Sequence, residues 1–565
     1  MGCGGDRRHL AVDLLLAGAA LRPARAEGGG RMTSAPHYSD LWQGIARAAP
    51  DRPAVISRDG TVTWSQLAAE AGALATHLVD RGLKVGDAAA LLLYNRTEYL
   101  AFTWACLAVG VSPVAINYRY RAGEVRELVL DSEARVLLTT RSLGELAREA
   151  VTGLDVEIIE VDDGSPATAG ALDYADVVAT GGALPESAPR GAELRLYTGG
   201  TTGSPKAVVW DLDTLLVARR QSTWGLLGIT PPEDLAEAVQ IAVDPATPRI
   251  VTLPLTPLLH GTAQSTTMGT MALGGTVVLH AAARMDMEEA ADLIAEFDVS
   301  RLIVAGDALA LPLAETVERR GTGLPGVRWI LSSGMRFSDD VKRRLHALGD
   351  LAIVDMLASS EGGPFAFGVT HGEDELPARL VLTPGAVLLD DDLAEIQADA
   401  GALGILAFRG ILPKGYYRDP AKTAETFPTI RGNRYIMPGD WARARGDGSV
   451  ELLGRLSAVV NTGGEKVFPA EVEEALLSHP TVDDAVVFGL PDRRFGEVVS
   501  AMVSPVPGRE IDVEELRTYL DERLAGYKKP RHVFVRASLE RSMTGKVELA
   551  RVKQDAEREL AEAVR

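Results

Sequence analysis

The chain has 565 residues, 46% hydrophobic and 24% charged, with a formal net charge of −20 at pH 7. That length exceeds what one hydrophobic core usually organises, so several subdomains are expected in a chain of ordinary globular composition. The acidic balance excludes a duplex nucleic-acid binder, which needs a basic face, and means that an anionic ligand must be met by a local basic or backbone-amide site.

Residues 1–31 imitate a secretory signal, with arginines around a short apolar run and an Ala-Arg-Ala, but Asp13 interrupts that run; they are expected to be an extension ahead of a start at Met32. Two cysteines, Cys3 and Cys106, offer no disulfide framework and point to a reducing, cytoplasmic compartment. No apolar stretch approaches the roughly 20 residues of a membrane span.

From Tyr38 onward, helix-period segments alternate with short apolar runs. "YSDLWQGIARAAPDRPAVI" reads as helix, break and strand, "TWSQLAAEAGALATHLVDRG" as an amphipathic helix closed by Gly82, and "DAAALLLY" as a strand. The same alternation returns in "MEEAADLIAEFDVSRLIVAG", "GVRWILSSG" and "DDVKRRLHALGDLAIVDML". It predicts an α/β architecture of layered, largely parallel sheets with helices. Near residue 390 the texture turns acidic and strand-rich, and from "AEVEEALLSH" to the end a run of helices and strands has the size of a small α+β domain. The expected organisation is a large N-terminal domain over 32–454, a boundary at 455–457 and a small C-terminal domain over 458–565.

Between the apolar runs "ELRLY" and "AVVW" lies "YTGGTTGSPKA", residues 197–207. Glycines allow close backbone approach, so successive N–H groups can face one anion, while threonine hydroxyls add donors and a lysine adds charge. The segment therefore reads as a phosphate cradle, with a plain flexible turn as the alternative. It is not a Walker A loop, which needs Gly-Lys-Ser/Thr opening a helix. Here Ser204 and Pro205 separate Gly203 from Lys206, and a strand-like run follows.

Thr198 to Lys206 is similar to the phosphate-binding signature of the adenylate-forming superfamily, which includes acyl-CoA synthetases, peptide-synthetase adenylation domains and luciferases. "MPGDW" resembles its ribose-binding segment, "GRLSAVVNTGGEKVFPAEVEEAL" its hinge segment and "RSMTGKVELAR" its terminal lysine segment; the resemblance covers roughly residues 35–560 in order. It implies a mobile C-terminal domain and an acid:CoA ligase that uses ATP, Mg²⁺ and coenzyme A: carboxylate and ATP give acyl-AMP and pyrophosphate, then coenzyme A takes the acyl group. Thr198, Gly199, Gly200, Thr201, Thr202, Gly203 and Lys206 would hold the phosphates, and Lys546 would bridge carboxylate and α-phosphate. Glu361, after Ser359 and Ser360, would hold the metal, while Gly334 and Met335 in "SSGM" would line the adenine. Asp440 and Arg455 would bind the ribose, Ser457 would be the hinge, and Gly463 and Gly464 would form the pantetheine passage. Leu357 and Ala358 stand where the family has an aromatic and a glycine, so stacking on the base by a tyrosine is not expected.

"PLLHGTAQS" resembles the segment lining the acyl site, which places His260 and Gly261 near the carboxylate. Amino-acid-activating relatives carry an Asp there; Thr262, Ala263, Gln264 and Ser265 instead favour an uncharged, hydrophobic acid, whether fatty, aryl or polycyclic. Lys528, Lys529 and Arg531 form a basic run that could meet the phosphates of coenzyme A or be a solvated turn. Two alternatives stay open: a stand-alone adenylating enzyme that loads a carrier protein, and a non-catalytic nucleotide binder. Oligomeric state is not legible in the sequence.

Overall fold

Apolar runs too short for helices pair side by side once the amphipathic helices between them cover both faces. The computed structural model describes residues 36–198, 205–397, 399–455, 460–462, 465–492, 495–521, 523–541 and 547–563. These fall into two compact units. The first comprises the described residues up to Ala378 with Thr383–Gly385 and Arg409–Pro428; the second comprises Arg379–Leu382, Ala386–Phe408 and the described residues from Thr429 onward.

In the first unit, strands Pro53–Ser57, Thr276–Val278, Val251–Pro254, Arg301–Val304, Trp329–Ser333 and Ala352–Ser359 lie side by side and parallel. Antiparallel partners Gly60–Thr63 and Gly362–Thr370 flank them. Leu253, Leu302, Ile330 and Ile353 share one face of this sheet, packed in one core with residues of helices Met287–Glu296, Asp307–Arg320 and Asp339–Leu348. A second, all-parallel sheet is ordered Ser112–Ala115, Ala88–Leu92, Ala134–Thr140, Glu157–Val161, Leu172–Asp173. Helices Tyr38–Ala48, Trp64–Asp80 and Thr97–Val109 meet through Trp104, whose ring lies 5.8 Å from Trp42 and 6.1 Å from Trp64. Edge-to-face pairs of this kind add about 0.5–1.5 kcal/mol each beyond the area they bury.

The second unit holds an antiparallel set, Glu395–Ile396, Ala386–Leu389, Leu403–Phe408, Asp440–Ala444, Ser449–Arg455 and Leu380–Leu382. It also holds a five-stranded sheet built on the long hairpin of Val482–Asp492 and Gly496–Pro505, with helices Pro469–Leu477, Val513–Asp521 and Leu549–Ala563. The acidic, strand-rich texture near residue 390 corresponds to the first of these sets.

Candidate active site

Strands Glu193–Thr198 and Lys206–Asp211 pair antiparallel, with Thr198 opposite Lys206, so the glycine-rich segment joins the arms of a hairpin. Gly199, Gly200, Thr201, Thr202 and Gly203 lie outside the described residues. The base of the hairpin is fixed by Arg195, a buried side chain that donates to the Ser132 carbonyl at 3.0 Å and the Gly86 carbonyl at 2.6 Å, with its guanidinium 4.0 Å from the centre of the Tyr417 ring. Tyr197 donates its hydroxyl to Asp131 Oδ2 at 2.5 Å; burial, reinforced by that carboxylate, pushes this hydroxyl well above the ordinary tyrosine range.

A third short strand, Gly415–Tyr416, pairs antiparallel with Lys206–Asp211. Gly415 sits at φ +143°, and a Cβ there would stand 2.3 Å from Thr423 Cγ2, so only glycine fits. Two partnerships follow from this strand. Tyr416 donates its hydroxyl to Glu361 Oε1 at 2.7 Å. Just beyond it, Asp419 pairs with Lys206 Nζ while capping helix Pro420–Thr426, where it accepts from the Lys422 N–H at 2.8 Å. The Lys206 ammonium, helped by that capping bond, holds the Asp419 carboxyl below the usual range.

Glu361 stands at the tip of a tight hairpin. Ser359 pairs with Gly362, leaving Ser360 and Glu361 as the connection between Ala352–Ser359 and Gly362–Thr370. Trp210 Nε1 donates to the Ser360 carbonyl at 3.2 Å. Gly261 opens helix Gly261–Ala272, with His260 as its N-cap, against the same hairpin: a Cβ on Gly261 would lie 3.4 Å from Leu196 Cδ2 and 3.8 Å from Ser360 Oγ. Ser332 is buried, and its hydroxyl accepts from the Gly306 N–H at 2.9 Å; Gly334 follows with φ +82° as the strand turns into Met335. The first unit thus gathers Lys206, Ser360, Glu361 and Gly261 around one small antiparallel sheet. Leu357 and Ala358 lie in the strand leading to Glu361.

Among the described residues no group of three or more His, Cys, Asp or Glu side chains is placed to hold a metal ion. An all-protein metal cage is therefore not what these residues make. A single half-buried carboxylate does suit Mg²⁺, which keeps waters and phosphate oxygens as its main ligands.

In the second unit the register sets Asp440 directly opposite Arg455. Next to Asp440, buried Trp441 packs 6.2 Å from the Phe468 ring. Lys528 and Lys529 are each neutralised, by Glu471 and Asp521 at 2.5 Å, and the Arg531 guanidinium lies 4.2 Å from the Phe495 ring. Ser457, Gly463, Gly464 and Lys546 lie outside the described residues, and the Arg455 side chain with them.

Sequence reasoning did not single out Trp210, Tyr416 or Asp419. The local signal for the last two was present in "GYYRDP": a glycine with no room for a side chain, then an Asp-Pro pair of the kind that opens a helix.

The AMP-binding enzyme family model matches residues 42–417, and the AMP-binding enzyme C-terminal domain matches 471–546. The chain is 35% identical over 94% of its length, and 98% of the relative's, to a medium/long-chain-fatty-acid–CoA/3-oxocholest-4-en-26-oate–CoA ligase of Mycobacterium tuberculosis. It is 33% identical, over 90% of this chain and 94% of the relative, to a 3-oxocholest-4-en-26-oate–CoA ligase of Rhodococcus rhodochrous. An anthranilate CoA ligase solved with anthranoyl-AMP shares the fold at 20% identity, with a TM-score of 0.75 over 93% of this chain and 98% of that one. The chain belongs to the AMP-binding enzyme family. It is an acyl-CoA synthetase, an AMP-forming acid–thiol ligase whose substrates are ATP, coenzyme A and a carboxylic acid. Among the described residues, no helix is long and apolar enough to cross a membrane.

Proposed function

We propose that the acid activated is hydrophobic with an uncharged tail, of the fatty or polycyclic kind. The observation that carries this reading is the make-up of helix Gly261–Ala272 and of the sheet face that the helix meets at Thr252. The helix starts beside Ser360 and carries no acidic residue, and Trp329, Leu331, Val354, Met356 and Phe367 of the neighbouring strands cluster with Leu226. Neither that helix nor that cluster supplies a carboxylate to pair a substrate ammonium, and burying it unpaired would be costly, whereas an apolar chain would lose only its contact with water. The names of the mycobacterial and rhodococcal relatives, for fatty and steroid side-chain acids, support the same class.

In the proposed first step a carboxylate oxygen of the acid attacks the α-phosphorus of ATP, and the β,γ-phosphates leave as pyrophosphate. Lys206, Thr198 and the glycine-rich backbone hold those phosphates, with Asp419 keeping the Lys206 ammonium at the mouth of the hairpin. Glu361, oriented by the Tyr416 hydroxyl, holds Mg²⁺, which when bound neutralises phosphate charge. Asp440 and Arg455, paired across two strands, grip the ribose hydroxyls. Lys546 bridges carboxylate and α-phosphate. In the second step the C-terminal domain, 458–565, turns on the 455–457 hinge relative to 32–454, withdrawing Lys546 and presenting Gly463 and Gly464 to the pantetheine arm. The thiol then attacks the acyl carbon and AMP leaves. The enzyme would work in the cytoplasm.

Incubation with ATP, Mg²⁺, coenzyme A and a panel of straight-chain, aryl, polycyclic and amino acids, read as AMP and acyl-CoA by mass spectrometry, tests the substrate class. Selective turnover of amino acids would overturn it.

A further inference from the structure

Arg301 is the first residue of a central parallel strand and is only 3% exposed. Among the described residues its guanidinium makes no hydrogen bond and no ion pair, and its Nε is fully enclosed without a partner. Arg195, of similar burial and with its own Nε likewise unpartnered, differs in that its terminal nitrogens reach two backbone carbonyls and its guanidinium lies over a tyrosine ring. Burial alone pulls the Arg301 guanidinium down to about 10, with no carboxylate near enough to oppose it. An isolated buried cation is costly, so a ligand that supplies an acceptor there would relieve that cost.

The strand pattern says which way Arg301 points. Leu302 and Val304 belong to the helix-covered core on one face, so Arg301 and Ile303 project to the other. On that second face Arg301 stands in register between Thr252 and Trp329, and the Thr252 hydroxyl meets the Thr270 hydroxyl of helix Gly261–Ala272 at 2.8 Å. This is the face on which Trp329, Leu331 and Val354 form the apolar cluster described above. The helix gives its depth: from Gly261, beside Ser360, to Thr270 it rises about 14 Å.

We infer that Arg301 is a specificity-determining residue: it receives a neutral oxygen, carbonyl or hydroxyl, carried at the far end of the acyl group, about 14 Å from the carboxylate. The inference rests on the hydrophobic-acid reading and deepens it. Such an acid is of roughly a dozen carbons when extended. The apolar face holds its chain, and the guanidinium distinguishes an oxygenated end from a bare methyl.

The test compares kcat/KM for dodecanoic acid and its omega-hydroxy derivative in the wild type, Arg301→Met and Arg301→Lys, with thermal unfolding run on each protein. Wild type should favour the hydroxy acid about tenfold, the scale of one hydrogen bond from a charged donor. Arg301→Met should erase that preference while retaining turnover of dodecanoic acid, and Arg301→Lys should restore part of it. Equal or poorer use of the hydroxy acid by wild type overturns the inference whatever the variants do, and leaves the hydrophobic-acid reading standing. Turnover of neither acid also overturns the inference, while the hydrophobic-acid reading falls only to selective turnover of amino acids.

Discussion

Tyr416→Phe removes one hydroxyl and keeps the ring that packs 5.9 Å from Phe427, so it tests the Tyr416–Glu361 bond with little risk to the fold. That bond is 2.7 Å long and its acceptor is a carboxylate; hydrogen bonds to charged groups contribute about 1.5–3 kcal/mol. Glu361 is half-buried, so water can take over part of the lost donation and the low end applies, about 1.5 kcal/mol, or about tenfold. If Glu361 holds Mg²⁺ with ATP, the loss falls on adenylation. Acid-dependent exchange of labelled pyrophosphate into ATP should slow about tenfold at limiting Mg²⁺ and recover partly at high Mg²⁺. Thioester formation from supplied acyl-AMP should not change. Unaltered exchange at all Mg²⁺ concentrations, or an equal loss in both half-reactions, would refute the role given to this pair.

Lys546→Ala should nearly abolish adenylation yet spare thioester formation from acyl-AMP; equal losses in separate half-reaction assays would sink the two-state arrangement. Gly415→Ala should lower the melting temperature by several degrees, because its Cβ would meet Thr423 at 2.3 Å in a backbone conformation of φ +143°; an unchanged melting curve would contradict the packing. Folding stability should fall as pH drops through about 6.5, the ordinary histidine value. Buried His37 accepts the Ser39 N–H through Nδ1 at 3.2 Å, and burial, only partly opposed by Asp40, lowers its pKa. The unfolded chain therefore binds more protons in that window, and the contribution is present above it and lost below. His37→Asn, which can still cap the helix, should flatten this slope between about pH 7.5 and 5.5 in melting experiments.

Glu361 entered through the likeness of its segment to the family's nucleotide segment; that it stands on a hairpin joining sequence neighbours came from the structure. The hairpin of residues 193–211 was legible from apolar runs on either side of the glycines and no helix start after Lys206. Tyr416 and Asp419 were not, because their partners lie 55 and 213 residues away, and no periodicity within a segment reports which distant strand it joins. The parallel layers followed from alternation of helix and strand patterns. Arg301 escaped notice since an arginine opening an apolar run reads as a solvated strand end; only its register between Thr252 and Trp329 reveals it as buried. The run Lys528, Lys529 and Arg531 read as basic, yet Glu471 and Asp521 cancel much of that charge through contacts distant in sequence.

The central claim is that the acid's own oxygen attacks the α-phosphorus of ATP. An acid labelled with oxygen-18 in its carboxylate, turned over with ATP, Mg²⁺ and coenzyme A, should deliver one labelled oxygen to AMP and none to pyrophosphate. Unlabelled AMP, or release of ADP and labelled phosphate, would contradict it.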